Sequence, residues 1–106
     1  EVKLYGLKTC DTCRKALKSL PAADFVDVRK DGVPEDVMEQ AYAQFPDTLL
    51  NTRSTTWRGL SDEERARSPL ELVAEHPSLM KRPLIEAEGR FFLGWNADVK
   101  SALGVA

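Results

Sequence analysis

An α/β fold with a mixed four-stranded sheet is predicted for this chain by three observations. A β-prone run, a helix opened by two cysteines and a second β-prone run follow one another in the first 28 positions. Two further β-prone runs flank Glu88-Gly89, and the stretch between these pairs is helical in pattern. With 106 residues, 42% of them apolar, the chain is expected to form a single domain over 1–106 with a core of its own. Fifteen basic side chains stand against 17 acidic ones, a net charge of −2. That balance supplies no field to gather nucleic acid or an anionic membrane, so neither direct nucleic-acid binding nor membrane association is expected. No apolar run approaches the roughly 20 residues that span a bilayer, and Glu1-Val2-Lys3 lacks the order of a signal peptide. A soluble cytoplasmic protein is the expectation.

Val2 to Tyr5 reads as the first strand. Cys13, Ala16, Leu17 and Leu20 then recur at helical spacing, with Arg14, Lys15 and Lys18 on the other side, and Pro21 stops the helix. Phe25 to Val28 is the second strand, and this order requires a right-handed crossover between parallel strands. Asp31-Gly32 marks a turn. Pro34-Glu35-Asp36 starts a helix with Pro34 in its first position, and Val37, Met38, Ala41, Tyr42 and Phe45 share its apolar face. Thr48 to Leu60 has little periodicity and is rich in Thr and Arg, a loop composition. Ser61 with Glu64, and Ser68 with Glu71, predict two capping boxes and hence two short helices, the second ending before Pro77. Glu88-Gly89 turns an antiparallel hairpin between Leu84–Glu86 and Arg90–Leu93. Asn96 caps a last helix with Val99, Ala102 and Leu103 on one face. Assembled, the order is βαβ, a helical insertion over about 31–77, then ββα, which describes a thioredoxin-like sheet.

The chemistry is expected at Cys10-Asp11-Thr12-Cys13, which holds both cysteines of the chain. Residues three apart on a helix share a face, so the two thiols can meet. Cys13 lies in the apolar stripe. Cys10 precedes it at the helix start, where unpartnered N–H groups and nearby cations such as Lys8 and Arg14 favour a thiolate. Cys10 is therefore the predicted nucleophile and Cys13 the predicted resolving thiol, although Cys13 also fits a plain buried packing residue. Zinc is not expected: a structural site wants four ligands, and His76 is the single histidine. His76, before Pro77, is read as a helix C-cap, and Trp57 and Trp95 as packing residues.

Arg82 and Arg53 are the candidate anion ligands, because a guanidinium fork binds tetrahedral oxyanions and carboxylates bidentately. Arg58 and Lys81 read as surface residues. Pro83 holds Arg82 extended, and an X-Pro bond has access to the cis form, which could present Arg82 to the cysteine loop.

The motifs Leu4-Tyr5-Gly6 through Cys10, Asp31-Gly32, Leu49-Leu50-Asn51-Thr52-Arg53-Ser54 with Thr56-Trp57-Arg58, and His76-Pro77-Ser78-Leu79-Met80-Lys81-Arg82-Pro83 resemble those of the arsenate reductase-like ArsC/Spx family. Among its members the chain is most similar to the short YffB-type proteins. The resemblance implies a thioredoxin-like fold, glutathione-linked thiol chemistry at Cys10 and Arg82 as an oxyanion ligand before a cis Pro83. It further implies glutathione or glutaredoxin as partner, a small oxyanion or disulfide as substrate, and no bound cofactor, with glutathione as co-substrate. Arsenate-reducing members surround their cysteine with three arginines. Arg82 stands at one such position, Asn51 at another with Arg53 two residues on, and Leu93-Gly94-Trp95-Asn96 has none. The Cys10–Cys13 pair is also similar to the switch of Spx regulators, implying as the alternative a redox-sensing module that binds RNA polymerase. Against that alternative stands the sequence's end at Ala106, soon after the last helix.

Overall fold

A computed structural model describes residues 2–105. Strand β1 (Val2–Gly6) leads through the cysteine turn into α1 (Asp11–Ser19) and β2 (Asp24–Asp27). Helices α2 (Glu35–Gln44), α3 (Thr55–Arg58), α4 (Asp62–Arg65) and α5 (Pro69–Glu75) and a 3₁₀ turn (Pro77–Leu79) fill the insertion before β3 (Leu84–Ala87), β4 (Arg90–Leu93) and α6 (Ala97–Ala102). The sheet order is β2-β1-β3-β4. β1 pairs parallel with β2 and antiparallel with β3, and β3 pairs antiparallel with β4. This is the expected mixed, thioredoxin-like α/β sheet.

Side-chain alternation divides the core between two faces. Leu4, Ile85 and Phe92 point to one face and pack with Cys13 and Ala16 of α1 and Val99 of α6. Tyr5, Leu84 and Phe91 point to the other, against Val37, Met38 and Ala41 of α2 and Val73 of α5. A smaller cluster of Leu60, Leu72 and Leu79 sits under the short helices, with Trp57 packed against it. Trp95 packs against the α1 side of the sheet. In the hairpin, Ala87 pairs with Arg90, and both turn residues are left-handed, Glu88 at φ 50° and Gly89 at φ 78°. Among the described residues no helix is long and apolar enough to cross a membrane.

Four local expectations are corrected. The stretch read as a loop over Thr48–Leu60 contains α3, one turn that Ser54 caps by accepting from the Trp57 N–H. A single turn is too short to show periodicity. Pro34 is the N-cap of α2 rather than its first helical residue. The capping box at Ser61 forms in both directions, but Ser68 makes no side-chain cap bond, and the Glu71 carboxylate that would complete the box pairs instead with Arg67 at 3.2 Å. A charged partner outcompetes a backbone N–H for that carboxylate. The second strand begins one residue earlier than expected and ends at Asp27, while the Val28 N–H still donates to the Gly6 carbonyl at 3.0 Å.

Candidate active site

The cysteine turn is built around the end of β1. Cys10 is the N-cap of α1, in extended backbone, with its N–H on the Leu7 carbonyl at 3.1 Å and its own carbonyl accepting from Arg14 N–H at 3.0 Å. As the N-cap it sets its half-buried thiol at the helix start, beside the Cys13 backbone N–H. Cys13 is fully buried in the apolar face of α1, and both thiols are free. Gly6 makes the close approach possible, since a Cβ there would lie 2.5 Å from Cys13 Sγ. The helix can thus dock on the strand only where β1 ends in glycine.

The opposite wall comes from the far end of the insertion. The Arg82–Pro83 bond is cis, and the Pro83 carbonyl accepts from the Gly94 N–H at 2.8 Å. The register Tyr5↔Leu84 carries Pro83 to the level of Gly6, so Arg82 arrives at the sheet end that bears the cysteine turn. Arg82 Nη1 donates to the Ser78 carbonyl at 2.7 Å and to the Met80 carbonyl at 3.3 Å. Its Nε is buried and has no partner among the described residues. Buried donors are ordinarily paired, so this one marks a place where an acceptor is wanted.

The two thiols are driven apart electrostatically. Partial burial pushes the Cys10 thiol up, but the Cys13 backbone N–H, the Cys13 thiol and the Arg82 guanidinium together outweigh it and hold Cys10 below its ordinary value. Cys13 is pushed up to about 12, chiefly by burial and further by its hydrogen bond to Cys10 and the Cys10 charge, against the lowering effect of the Leu7 backbone and Arg82. The arrangement sets a thiol held below its ordinary pKa beside one pushed well above it, with the Arg82 guanidinium as the counter-charge.

The other candidates are placed differently. Lys8 is exposed in the turn before Cys10, and Arg53 is exposed beyond Asn51, whose Oδ1 accepts the Arg53 N–H at 3.1 Å. Among the charged side chains of the described residues, Arg82 is the one that holds the Cys10 thiol down. Arg14 is turned toward its own carboxylate partner, Asp11. Arg58 and Lys81 are exposed, as expected, and His76 caps α5 through its N–H on the Leu72 carbonyl at 2.8 Å. Sequence reasoning passed over Gly6 and Ser78. A glycine closing a strand just ahead of a cysteine-led helix was a usable signal for the first; nothing local marks the second.

A separate cleft lies away from the thiols. About 410 Å³ in volume, it runs between α2 and α5 over Val33, Met38, Leu70 and Val73, with Glu35, Glu39 and Glu71 at its rim. It contains no thiol, and among the described residues no three His, Cys, Asp or Glu side chains converge as a metal site.

The ArsC family matches residues 5–103. An uncharacterised protein of Haemophilus influenzae is 39% identical over 104 residues, covering 90% of this chain and 91% of its own. The global transcriptional regulator Spx of Bacillus subtilis is 30% identical, over 92% of this chain and 82% of its own. Among solved structures, a YffB protein superposes with a TM-score of 0.86 at 32% identity, covering 96% of this chain and 97% of that one. An arsenate reductase (ArsC) related protein from Brucella melitensis gives a TM-score of 0.71 at 31% identity, over 96% and 92% of the two chains.

Proposed function

The chain belongs to the ArsC family, and from that premise we propose that it is a thiol oxidoreductase in which Cys10 is the nucleophile, Arg82 its counter-charge and glutathione its reductant. The observation that carries this reading is the arrival of Arg82, whose buried Nε lacks an acceptor among the described residues, at the sheet end that bears Cys10, where it helps hold the thiol below its ordinary pKa. A lowered thiol pKa increases the thiolate fraction at neutral pH. A donor aimed where negative charge gathers stabilises the substrate anion or the departing thiolate.

With a disulfide substrate, the Cys10 thiolate attacks one sulfur, the S–S bond breaks, and the second sulfur leaves as a thiolate that takes a proton from water. A mixed disulfide on Cys10 remains. Glutathione thiolate then attacks the substrate-derived sulfur of that bond, Cys10 departs as thiolate, and a second glutathione releases the substrate thiol as glutathione disulfide forms. Two electrons thus pass from two glutathione thiols to the substrate. With an oxyanion, Cys10 displaces one oxygen, which leaves as water; a glutathione thiolate then attacks Cys10 Sγ, the bond from that sulfur to the central atom breaks with its electron pair passing to the atom, and a second glutathione frees Cys10 from the mixed disulfide as glutathione disulfide forms.

Cys13 is the weaker resolving thiol in this reading. Forming the mixed disulfide removes the Cys10 charge, yet burial, the largest cause of the raised Cys13 pKa, persists. Its part is to donate a hydrogen bond to the Cys10 thiolate. Lys8 and Arg53, both exposed, are proposed to meet the carboxylates of an incoming glutathione.

The test is NADPH consumption coupled through glutathione reductase, with arsenate or hydroxyethyl disulfide as substrate, in wild type, Cys10→Ser and Cys13→Ala. Turnover should vanish in Cys10→Ser and persist in Cys13→Ala, reduced by about threefold to tenfold for loss of one hydrogen bond to the thiolate. Wild-type turnover in Cys10→Ser sinks the reading.

A second reading is favoured by the contacting cysteine pair and the Spx relatives: a redox-sensing regulator. It requires that oxidation to a Cys10–Cys13 disulfide change binding to RNA polymerase. A pull-down with the C-terminal domain of the RNA polymerase α polypeptide, with and without oxidant, decides it, and binding that ignores the oxidant counts against it.

A further inference from the structure

Arg82 is useful beside Cys10 only if its guanidinium is held there, and what holds it lies far from the thiols in sequence. Residues 49–51 run antiparallel to 79–81. Leu50 bridges Met80, the Asn51 N–H donates to the Leu79 carbonyl at 2.7 Å, and the Lys81 N–H donates to the Leu49 carbonyl at 2.8 Å. Leu49, Leu79 and Met80 are fully buried, which fixes this short ladder in the core. Beyond it, Ser54 caps α3, and Thr56 Oγ1 lies 3.1 Å from Ser78 Oγ in a half-buried contact. The Ser78 carbonyl is also the acceptor of the shorter Arg82 bond, at 2.7 Å. Ser78 is therefore gripped from two sides, by the hydroxyl of α3 and by the guanidinium.

We infer that Thr56 is a positioning residue for Arg82: its hydroxyl fixes Ser78, and the Ser78 carbonyl in turn fixes the guanidinium beside Cys10. The inference rests on the reading of Cys10 as nucleophile and Arg82 as its counter-charge. Among the described residues the Thr56 hydroxyl bonds to Ser78 and to no thiol or charged side chain, so it acts through Ser78 alone. The Met80 carbonyl is a weaker second acceptor at 3.3 Å. Without the Thr56 hydroxyl, Ser78 is free to turn its carbonyl away, and Arg82 retains only that longer bond. A bond of this kind contributes on the order of fivefold to the population of one arrangement.

The experiment is the pH profile of Cys10 alkylation by iodoacetamide, read at Cys10 by fragment-ion mass spectrometry, in wild type, Thr56→Val, Thr56→Ser, Ser78→Ala and Arg82→Met. Thr56→Val should titrate at higher pH and react about threefold more slowly at neutral pH, since the thiolate fraction scales with the pKa shift. Thr56→Ser should restore the wild-type profile. Ser78→Ala, which removes the same bond from its other end, should move it as Thr56→Val does; it also serves if Thr56→Val fails to fold. In the Arg82→Met background, Thr56→Val should be silent. A Thr56→Val profile coincident with wild type, no rescue by serine, or an equal shift in the Arg82→Met background overturns the inference. Arg82→Met with an unchanged profile removes Arg82 as counter-charge and overturns the proposed function with it. A shift in Arg82→Met beside a silent Thr56→Val overturns the positioning role alone.

Discussion

The cysteine turn and the arm that delivers Arg82 meet at one end of the sheet, but they are held there differently. In the turn, the constraints lie within residues 6–14: a glycine that admits Cys13 Sγ, the Cys10 N–H on Leu7 and the Arg14 N–H on Cys10. In the arm, the decisive contacts join residues far apart, Thr56 to Ser78 across 22 positions and Leu50 to Met80 across the bridge. The turn is a packing solution and the arm a hydrogen-bonding one. Close packing tolerates little added volume, whereas a hydrogen-bonded brace loses one link at a time. The two halves should therefore fail differently, the turn in stability and the arm in the tuning of Cys10.

The sharpest way to break the comparison is to overfill the turn. Gly6→Ala places a methyl 2.5 Å from Cys13 Sγ and 3.3 Å from a Leu4 side-chain carbon, both fully buried. Both side chains are enclosed in the core, and Cys13 Cβ lies at 3.3 Å as well, so α1 must lift from β1. The expected cost is about 2 kcal/mol in urea unfolding, within the range for overpacked cores. Cys13→Ala in the same chain removes the sulfur and should recover part of that loss, so the double variant is more stable than the sum of the singles. Additive losses would mean that the glycine is needed for something other than room for Cys13.

A second test uses the opposite titrations of the two thiols. Cys13 ordinarily titrates at 9.0 and is pushed up to about 12. Between those values the folded chain keeps a proton that the unfolded chain has lost. This contribution is complete below 9.0 and is lost as pH rises toward about 12. Cys10 is lowered from 9.0, so in the window just below that value the unfolded chain binds the proton and the folded chain does not. Its contribution is complete above 9.0 and is lost as pH falls through that window. Urea unfolding measured from about pH 6 to about pH 11 should show Cys13→Ala losing less stability at the alkaline end than wild type, and Cys10→Ser losing less at the acidic end. Variants that flatten the same limb would show that the thiols do not titrate in opposite senses.

The same division explains how much was legible in the sequence. The βαβ unit, the hairpin and the contrast in burial between Cys10 and Cys13 rest on periodicity and on spacing within a few residues, and the structure has each of them. The arm was legible only as composition. Thr48–Leu60 looks like a loop because its ordered turn is a single turn long and its partners, Leu79 and Ser78, lie in another segment. Arg82 was visible through Pro83, whose effect on its predecessor is local. Ser78 was not, since its role depends on a carbonyl, a group every residue has. Arg14 answers its neighbour Asp11, while Arg82, brought from far along the chain by the fold, helps lower the Cys10 thiol. The thiol pair was a sequence feature, and its electrostatics belong to the tertiary structure.

The smallest effect concerns the arm's own construction, where two Ser-x-x-Glu segments of the same pattern behave differently. Ser61 Oγ accepts from the Glu64 N–H at 3.2 Å, and Glu64 Oε1 accepts the Ser61 N–H at 3.0 Å. At Ser68 neither half forms: its hydroxyl takes no cap bond, and Arg67 draws the Glu71 carboxylate, with that of Glu75, to its guanidinium. Ser61→Ala should therefore cost about 1 kcal/mol, while Ser68→Ala should fall within about 0.5 kcal/mol of neutral. Both are measured by urea unfolding. Neither substitution should alter the alkylation profile of Cys10, since the bonds from Arg82 to the Ser78 and Met80 carbonyls and the Thr56–Ser78 contact involve neither cap. A Ser61→Ala chain that also shifts Cys10 would show that the brace reaches beyond α3 into the short helices. The arm would then have to be treated as one cooperative unit with its caps, rather than as a ladder and a single hydroxyl bond.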